Sequence, residues 1–457
     1  MTSRGLRALP VALGLLLCAV SCRRAEPTCP NVVVIVVDTL RADRLGVEGN
    51  SRGLTPFLDE LAQRGTRFAR AYAQSAWTNP SVASLLTSRY PSQHQVRNFD
   101  SKLAEDEVTF AQRLAQGGWV GGGFSANVQL DGANGYGRGF EHWERFPETI
   151  KLRGRPLGEA ALAWLDATWR PTSGRPLLLY LQYMEPHAPY EPPAAFRERF
   201  APGVTAEEAK RLNDLLLALE WSRLSDADVA TLAALYDAEV AAVDAELRRF
   251  VGELERRGVL DHALLIVTAD HGEEFREHGQ LVHGLTLFEP AIHVPLLVIG
   301  GGFPAGAVVR RPVALVDVAP AILEAAALPP EPRFEGRSLR ALLSPLDVEG
   351  EVLSELLSWQ ETDDWRQHAA ALVAGTLKLI VPPYHLRTVR MPEVFDLARD
   401  PGEQFPNPPW LEVARMVLHQ RVTDLVASLE SRGVHSGDRG GIDAEQRARL
   451  RALGYLQ

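Results

Sequence analysis

Three cysteines cannot staple a chain of 457 residues. Two of them, Cys18 and Cys22, lie in an N-terminal segment read below as an export signal, so Cys29 alone is left for the folded part. Long Lys or Arg runs are also missing, and with 48 basic against 58 acidic residues the formal net charge is −10. The counterion release that holds proteins on nucleic acid therefore has no source, and no nucleic-acid partner is expected. Glycine (37) and proline (31) stay below the low-complexity range, while 46% hydrophobic and 23% charged residues are globular fractions, which excludes disorder and fibre. The length admits one large core or two unequal domains, and no segment repeats.

The apolar stretch Leu9 to Val20 is too short to span a bilayer but suits the middle of a signal peptide, with Arg4 and Arg7 before it. It ends in Ala19-Val20-Ser21-Cys22, which resembles the bacterial lipoprotein processing box, although Ala19 stands where Leu is usual. Residues 1–21 are thus expected to direct export, Cys22 to carry a lipid anchor to a membrane, and residues 22–30 to form a tether. Ordinary cleavage after Ser21 is the alternative. Arg23 and Arg24 follow Cys22 with no Asp, so nothing resembles an inner-membrane retention signal, and the expected location is the outer membrane or the periplasm.

Three apolar runs end in metal-ligating residue types. Val32 to Val37 is β-branched without alternation, as in a parallel strand buried on both faces, and stops at Asp38. Leu177 to Tyr183 precedes Glu185 and His187, and Leu264 to Val267 precedes Asp270-His271-Gly272. In open α/β sheets the carboxyl ends of strands form the ligand crevice, so three such ends suggest one site. Helical patterns at Pro56 to Gly65, Thr109 to Gln116, Leu157 to Thr168, Asp226 to Arg257 and Asp317 to Ala326 alternate with these strands and with a fourth, Pro295 to Ile299. The expected class is α/β. Beyond residue 345 turns multiply and Glu403 to Pro409 is proline-rich, which predicts a catalytic domain at 31–345 and a smaller C-terminal subdomain at 346–457. The glycines of Gly132 to Gly137 follow no predicted strand, which argues against a dinucleotide site.

Ala76-Trp77-Thr78-Asn79-Pro80-Ser81 opens a helical segment whose N-terminus suits an anion, with Thr78 or Ser81 as the attacking hydroxyl and a plain N-cap as the alternative.

At this point five ordered blocks carry a resemblance: Asn31 to Gly46, Thr78 to Arg89, Tyr183 to Pro189, Val267 to Glu273 and His283 to Pro295. In order and wording they resemble the sulfatase family of the alkaline phosphatase superfamily over residues 31–345, with fainter phrases at Phe334 to Leu339 and Val394 to Leu397. The resemblance implies an alkaline-phosphatase-like α/β/α sandwich with a mostly parallel central sheet, holding a divalent cation at its strand ends. It implies Asp38, Asp270 and His271 as metal ligands, Thr78 at the nucleophile position, and His187 and His283 against the substrate's anionic group or leaving oxygen.

Departures from the family pattern bear on substrate. Formylglycine sulfatases oxidise the first residue of Cys/Ser-x-Pro-Ser-Arg; here that position is Thr78, and the Arg position is Val82. Threonine cannot become formylglycine. Thr39 replaces a second Asp after Asp38, and no Gly-Lys-x-His block occurs. A sulfated formylglycine hydrate expels sulfate by collapsing to an aldehyde, whereas a phosphorylated threonine is cleared by in-line attack of water.

The expected mechanism sets one divalent ion between Asp38, Asp270, His271 and the Thr78 oxygen, zinc or manganese rather than calcium because the donors are carboxylate and imidazole. Backbone N–H groups after Thr78 and the Arg41 guanidinium would hold the non-bridging oxygens, and His283 or His187 would protonate the leaving group. Glu185 with His187 and His283 leaves a second metal open. His94, His278 and His293 read as packed or solvated, and Glu273, Glu274 and Glu277 as a solvated acidic edge. Three functions remain: an exported hydrolase of sulfuric or phosphoric esters, a transferase passing a phospho-substituent to an envelope glycan or lipid, and a non-catalytic extracellular binding protein. Substrate would be set by loops at 92–102, 128–145 and 194–225, where Trp143 and Trp221, like Trp365 further on, could stack on a sugar or aryl group.

Overall fold

The computed structural model describes residues 31–97, 101–146, 154–343, 350–357, 369–382 and 391–433. The export signal, Cys22, the tether, the residue-345 boundary and Trp365 lie outside these residues. Among the described residues no helix is long and apolar enough to cross a membrane.

Eight strands form the central sheet: β1 (Asn31–Val37), β2 (Thr66–Phe68), β3 (Val120–Ser125), β4 (His142–Arg145), β5 (Leu177–Tyr183), β6 (Ala263–Thr268), β7 (Leu296–Gly300) and β8 (Ala307–Val309). Their order is β8-β2-β7-β6-β1-β5-β3-β4. All pairs are parallel except those of β7, which runs antiparallel to β6 and β2. The β-branched β1 occupies the middle, every residue buried, between β5 and β6, as its lack of alternation predicts.

Helices α1 (Pro56–Arg64), α2 (Thr78–Thr87), α3 (Phe110–Gln116), α4 (Gly154–Thr168), α5 (Asp226–Arg256) and α6 (Val318–Ala325) cover the sheet, α1 and α4 packing with α5, and α3 and α6 with α2. Caps explain several boundaries. Thr109 accepts from Gln112 N–H and Ser225 from Asp228 N–H, each within a capping box.

The sequence reading missed β3, Val-Gly-Gly-Gly-Phe-Ser, because glycine is a poor strand former. The packing explains the choice: a Cβ on Gly122 would lie 2.5 Å from the Trp164 ring, and one on Gly123 2.3 Å from Trp143. Glycine there lets two indoles lie against the strand.

The C-terminal part is an antiparallel sheet of β9 (Glu351–Leu356), β10 (Ala369–Ala374), β11 (Leu377–Val381) and β12 (Glu393–Asp396), backed by helix α7 (Glu412–Glu430). Strand alternation sorts its two faces. Val352, Ala371, Val373, Ile380 and Phe395 pack toward Tyr72, Leu287 and Ile292 of the main domain, whereas Leu353, Leu372, Leu379 and Val394 pack with Leu418, Val422 and Val426 of α7.

Lys378 shares the inward parity of Ile380 and is wholly buried, its Nζ 3.0 Å from Glu289 Oε1 and 2.8 Å from Glu403 Oε1. Burial alone would raise both carboxyls. Lys378, with His293, holds Glu289 down at about 2, while Glu403 is pushed up to about 7. Removing the cation that bridges the two acids should cost more than it relieves. Lys378→Met is expected to destabilise the fold by about 3–5 kcal/mol in urea unfolding; a change below about 1 kcal/mol would show that the pair does not hold the two parts together.

Candidate active site

The ends of β1, β5 and β6 lie side by side, so Asp38 and the pair Asp270-His271 converge at the carboxyl edge of the sheet. One ligand atom from each of Asp38, Asp270 and His271 lies within 4.8 Å of the others, and all three residues are wholly buried. Thr39 takes a left-handed φ of 54°, unusual for a β-branched residue. Its backbone is held there from both sides, N–H donating to Asp270 Oδ1 at 3.3 Å and C=O accepting from the Tyr236 hydroxyl at 2.7 Å.

Helix α2 begins at Thr78 itself. Trp77 holds the N-cap position without a side-chain cap, so the threonine hydroxyl is not used as one. Thr78 Oγ1 lies 3.3 Å from His271 Nε2 and accepts from Asn127 Nδ2 at 3.2 Å. Ser81, the other candidate hydroxyl, donates to the carbonyl of Asp270 at 2.5 Å and only braces the loop. Pro80 has no N–H and that of Ser81 bonds to Trp77 O, which confines any backbone amide contribution to Thr78 and Asn79.

The donor set fits a divalent cation. Burial, reinforced by the neighbouring Asp270 carboxylate, raises Asp38 well above the usual carboxylate range, and burial raises Asp270 too. Asp38 Oδ1 is buried without a hydrogen-bond partner. His271 donates Nδ1–H to Gly272 O at 2.9 Å, which leaves the Nε2 lone pair facing Thr78, and burial holds the ring neutral with its pKa pushed down to about 3. Two buried carboxylates, an orphaned oxygen and an imidazole lone pair aimed at one point are costly unless a cation joins them. Asp38, Asp270, His271 and Thr78 would hold it.

His283 and His187 extend the cluster. The His283 ring lies 4.5 Å from that of His271 and 4.9 Å from that of His187, and burial pushes these two pKa values down to about 3 and about 4.

Other expectations change. Arg41 does not serve as an anion clamp: its guanidinium donates to Asp43 at 2.9 and 2.7 Å, to Glu277 at 2.5 Å and to the carbonyl of Glu273 at 2.9 Å, so its charge is already matched. Nor is the second metal site assembled among the described residues. Glu185 turns to the N–H of Gly154 at 2.8 Å, and Asp38, Asp270 and His271 are the cluster with metal-ligand spacing among the described residues. The acidic edge is not solvated either: Glu273 and Glu274 are wholly buried, bonded to His283 and Thr286, and Glu277 pairs with Arg41. His94 is a satisfied core histidine between Ser84 and the N–H of Val96. His293 bonds to Ala69 O and Glu289, and His278 stacks on Phe288. Trp143 packs on Tyr180 with its N–H on Leu130 O, and Trp221 donates to Leu216 O.

Two site residues went unread in the sequence. Asn127, just past β3, donates to Asp38 Oδ2 at 2.6 Å as well as to Thr78. Gln182 donates to Asp270 Oδ2 at 3.1 Å. A signal for Gln182 existed, since it is the one amide in the run Leu177 to Tyr183.

The sequence model of the family described as Sulfatase matches residues 30–328. The chain is 25% identical over 423 residues to "Arylsulfatase K" of Canis lupus familiaris, which covers 82% of this chain and 78% of that protein. Among solved structures it resembles the phosphonate monoester hydrolase of Agrobacterium radiobacter, with a TM-score of 0.71, 21% identity and coverage of 88% and 96%. It also resembles BT4656 in complex with its substrate D-glucosamine-2-N,6-O-disulfate, with a TM-score of 0.72, 18% identity and coverage of 88% and 98%. The architecture of these structures, a large mostly parallel sheet with a C-terminal antiparallel one, is that of the present fold.

Proposed function

The chain belongs to the sulfatase family of metal-dependent ester hydrolases, and from that premise we propose that it is an exported hydrolase of phosphoric esters in which Thr78 is the nucleophile. The observation carrying this reading is the Thr78 hydroxyl 3.3 Å from the His271 lone pair, beside two buried carboxylates, at the position where family members use formylglycine. A threonine has no second hydroxyl through which to collapse to an aldehyde, so release of the transferred group falls to water. That step suits phosphorus better than sulfur. Asp38, Asp270, His271 and Thr78 would hold a divalent ion, zinc or manganese on this donor set, which would supply Lewis-acid charge to lower the hydroxyl pKa and offset developing negative charge.

The chain's own residues do the rest. Asn127, bonded to Asp38 Oδ2 and Thr78 Oγ1, fixes the hydroxyl rotamer so that a lone pair faces the incoming phosphorus. Thr78, its hydroxyl proton given up to solvent, forms the Oγ–P bond as the ester P–O bond breaks, and the leaving oxygen takes the Nε2 proton of His283, whose Nδ1 shares a proton with the Glu273 carboxyl. Water then attacks phosphorus and returns a proton to Nε2 as the Thr78 Oγ–P bond breaks. Export and lipidation at Cys22 rest on the N-terminal sequence alone.

The reading is tested on protein lacking residues 1–29, stripped of metal and reloaded with zinc, manganese or calcium. Matched p-nitrophenyl phosphate, phosphodiester and sulfate would be assayed. Zinc- or manganese-dependent turnover of a phosphoester at least about 100-fold above that of the sulfate is expected; sustained turnover faster on the sulfate would overturn the phosphoester assignment.

A further inference from the structure

We infer that Glu273 is a positioning residue for His283, the two forming a buried carboxylate–imidazole pair that aims Nε2 at the leaving group. The inference rests on the reading of His283 as the leaving-group acid. His283 Nδ1 lies 2.9 Å from Glu273 Oε1, and both side chains are essentially closed to solvent. A wholly buried carboxylate is costly unless something is gained from it. Nearby charge offsets it only in part: the Arg41 guanidinium favours the carboxylate but is shared with Asp43 and Glu277 and reaches only the backbone carbonyl of Glu273, so burial remains the largest effect on it.

The local chain is built to hold this carboxylate in place. Glu273 N–H donates to Pro290 O at 2.9 Å while Arg41 grips its carbonyl, so the backbone is fixed at both ends of the residue. Gly272 permits the approach, since a Cβ there would fall 2.0 Å from Pro290 O. On the other partner, Gly284 lies against Trp77, where an added Cβ would sit 3.7 Å from the Trp77 Cβ, which brings His283 beside the residue preceding Thr78. With Nδ1 engaged by Glu273, a proton that the ring exchanges with substrate passes through Nε2.

The pair enters the chemical step with one proton shared between the Glu273 carboxyl and Nδ1 and another on Nε2, and Nε2–H passes to the leaving oxygen as its bond to phosphorus breaks. The imidazole is left neutral with Nδ1–H on the carboxylate, and in the second step Nε2 takes a proton from the attacking water. An acid of this kind matters in proportion to the basicity of the leaving group. A merely structural Glu273 would affect all substrates alike.

The test compares kcat/KM on p-nitrophenyl phosphate and phenyl phosphate for wild type, His283→Ala, Glu273→Ala and Glu273→Gln, with thermal midpoints recorded alongside. Glu273→Ala is expected to lose about 100-fold more activity on the phenyl than on the p-nitrophenyl ester, within the usual range for general acid catalysis. Glu273→Gln, whose carbonyl still accepts from Nδ1–H, should lose about tenfold more on the phenyl ester and keep the fold if the alanine variant does not. Selective loss in His283→Ala with uniform loss in both Glu273 variants would overturn the inference and leave the acid assignment standing. Uniform loss in His283→Ala would overturn the acid assignment itself, and the inference with it.

Discussion

Asp38→Asn is expected to abolish stabilisation by divalent metal while making the metal-free protein more stable than the metal-free wild type at pH 8. The first half follows from mass action. Metal at a thousand times its Kd stabilises a folded protein by about 4 kcal/mol, and loss of a charged ligand from a site of three protein side chains and one hydroxyl should bring this below about 0.5 kcal/mol at the same concentration. The second half follows from the pair. Burial first, then the Asp270 carboxylate, raises Asp38 above its unfolded pKa, so the metal-free fold keeps its full stability below the ordinary carboxylate range and loses it as pH rises through the folded value. An asparagine removes that loss at little geometric cost. Its carbonyl still accepts from Asn127, and its amide replaces Oδ1, which has no partner and lies 3.6 Å from the His271 Nε2 lone pair. Unfolding in urea at pH 5 and pH 8, with and without zinc or manganese, separates the effects. Metal protection should be larger at pH 8 in the wild type and absent at both in the variant; protection surviving in Asp38→Asn would place the metal elsewhere.

The same residues show how much of the site was legible. Asp38 and Asp270-His271 stand out because they terminate runs of buried β-branched and aliphatic residues, a change of chemistry visible within a single window of sequence. Asn127 does not, because the strand before it is written in glycines whose purpose, room for Trp143 and Trp164, exists only once helix and sheet meet. Glu273 and Glu274 were misread for a related reason: a dense acidic stretch usually means solvent, and what buries this one comes from residues up to 232 positions away, Arg41 among them. Arg41 itself follows Asp38 closely enough to suggest an anion contact, yet Asp43 and Glu277 claim its guanidinium. Strand ends are local information; the partners of a buried charge are not.

Thr78→Ala is expected to reduce kcat/KM on p-nitrophenyl phosphate by about 10⁴-fold or more, the usual scale for deleting a nucleophile, while metal protection against urea persists. The separation is expected because Thr78→Ala takes away one uncharged donor, bonded in the described structure to His271 Nε2 and Asn127 Nδ2, and leaves both carboxylates and the His271 imidazole in place, so metal protection is weakened but not lost. Thr78→Ser, which keeps the oxygen and loses one methyl group, should stay within about tenfold of wild type. The sulfate ester offers the sharper test. Thr78 can accept a sulfuryl group as it accepts a phosphoryl group, but with no second hydroxyl on the carbon that bears it, the sulfated residue has no internal route of release and must wait for water at sulfur. Aryl sulfate should therefore give one burst of phenolate per active site and then stop, with the modification found on Thr78 by peptide mass spectrometry after acid quench. Aryl phosphate should turn over continuously with far less of the modified residue present. Sulfate turnover that continues in Thr78→Ala would remove the threonine from the chemistry altogether.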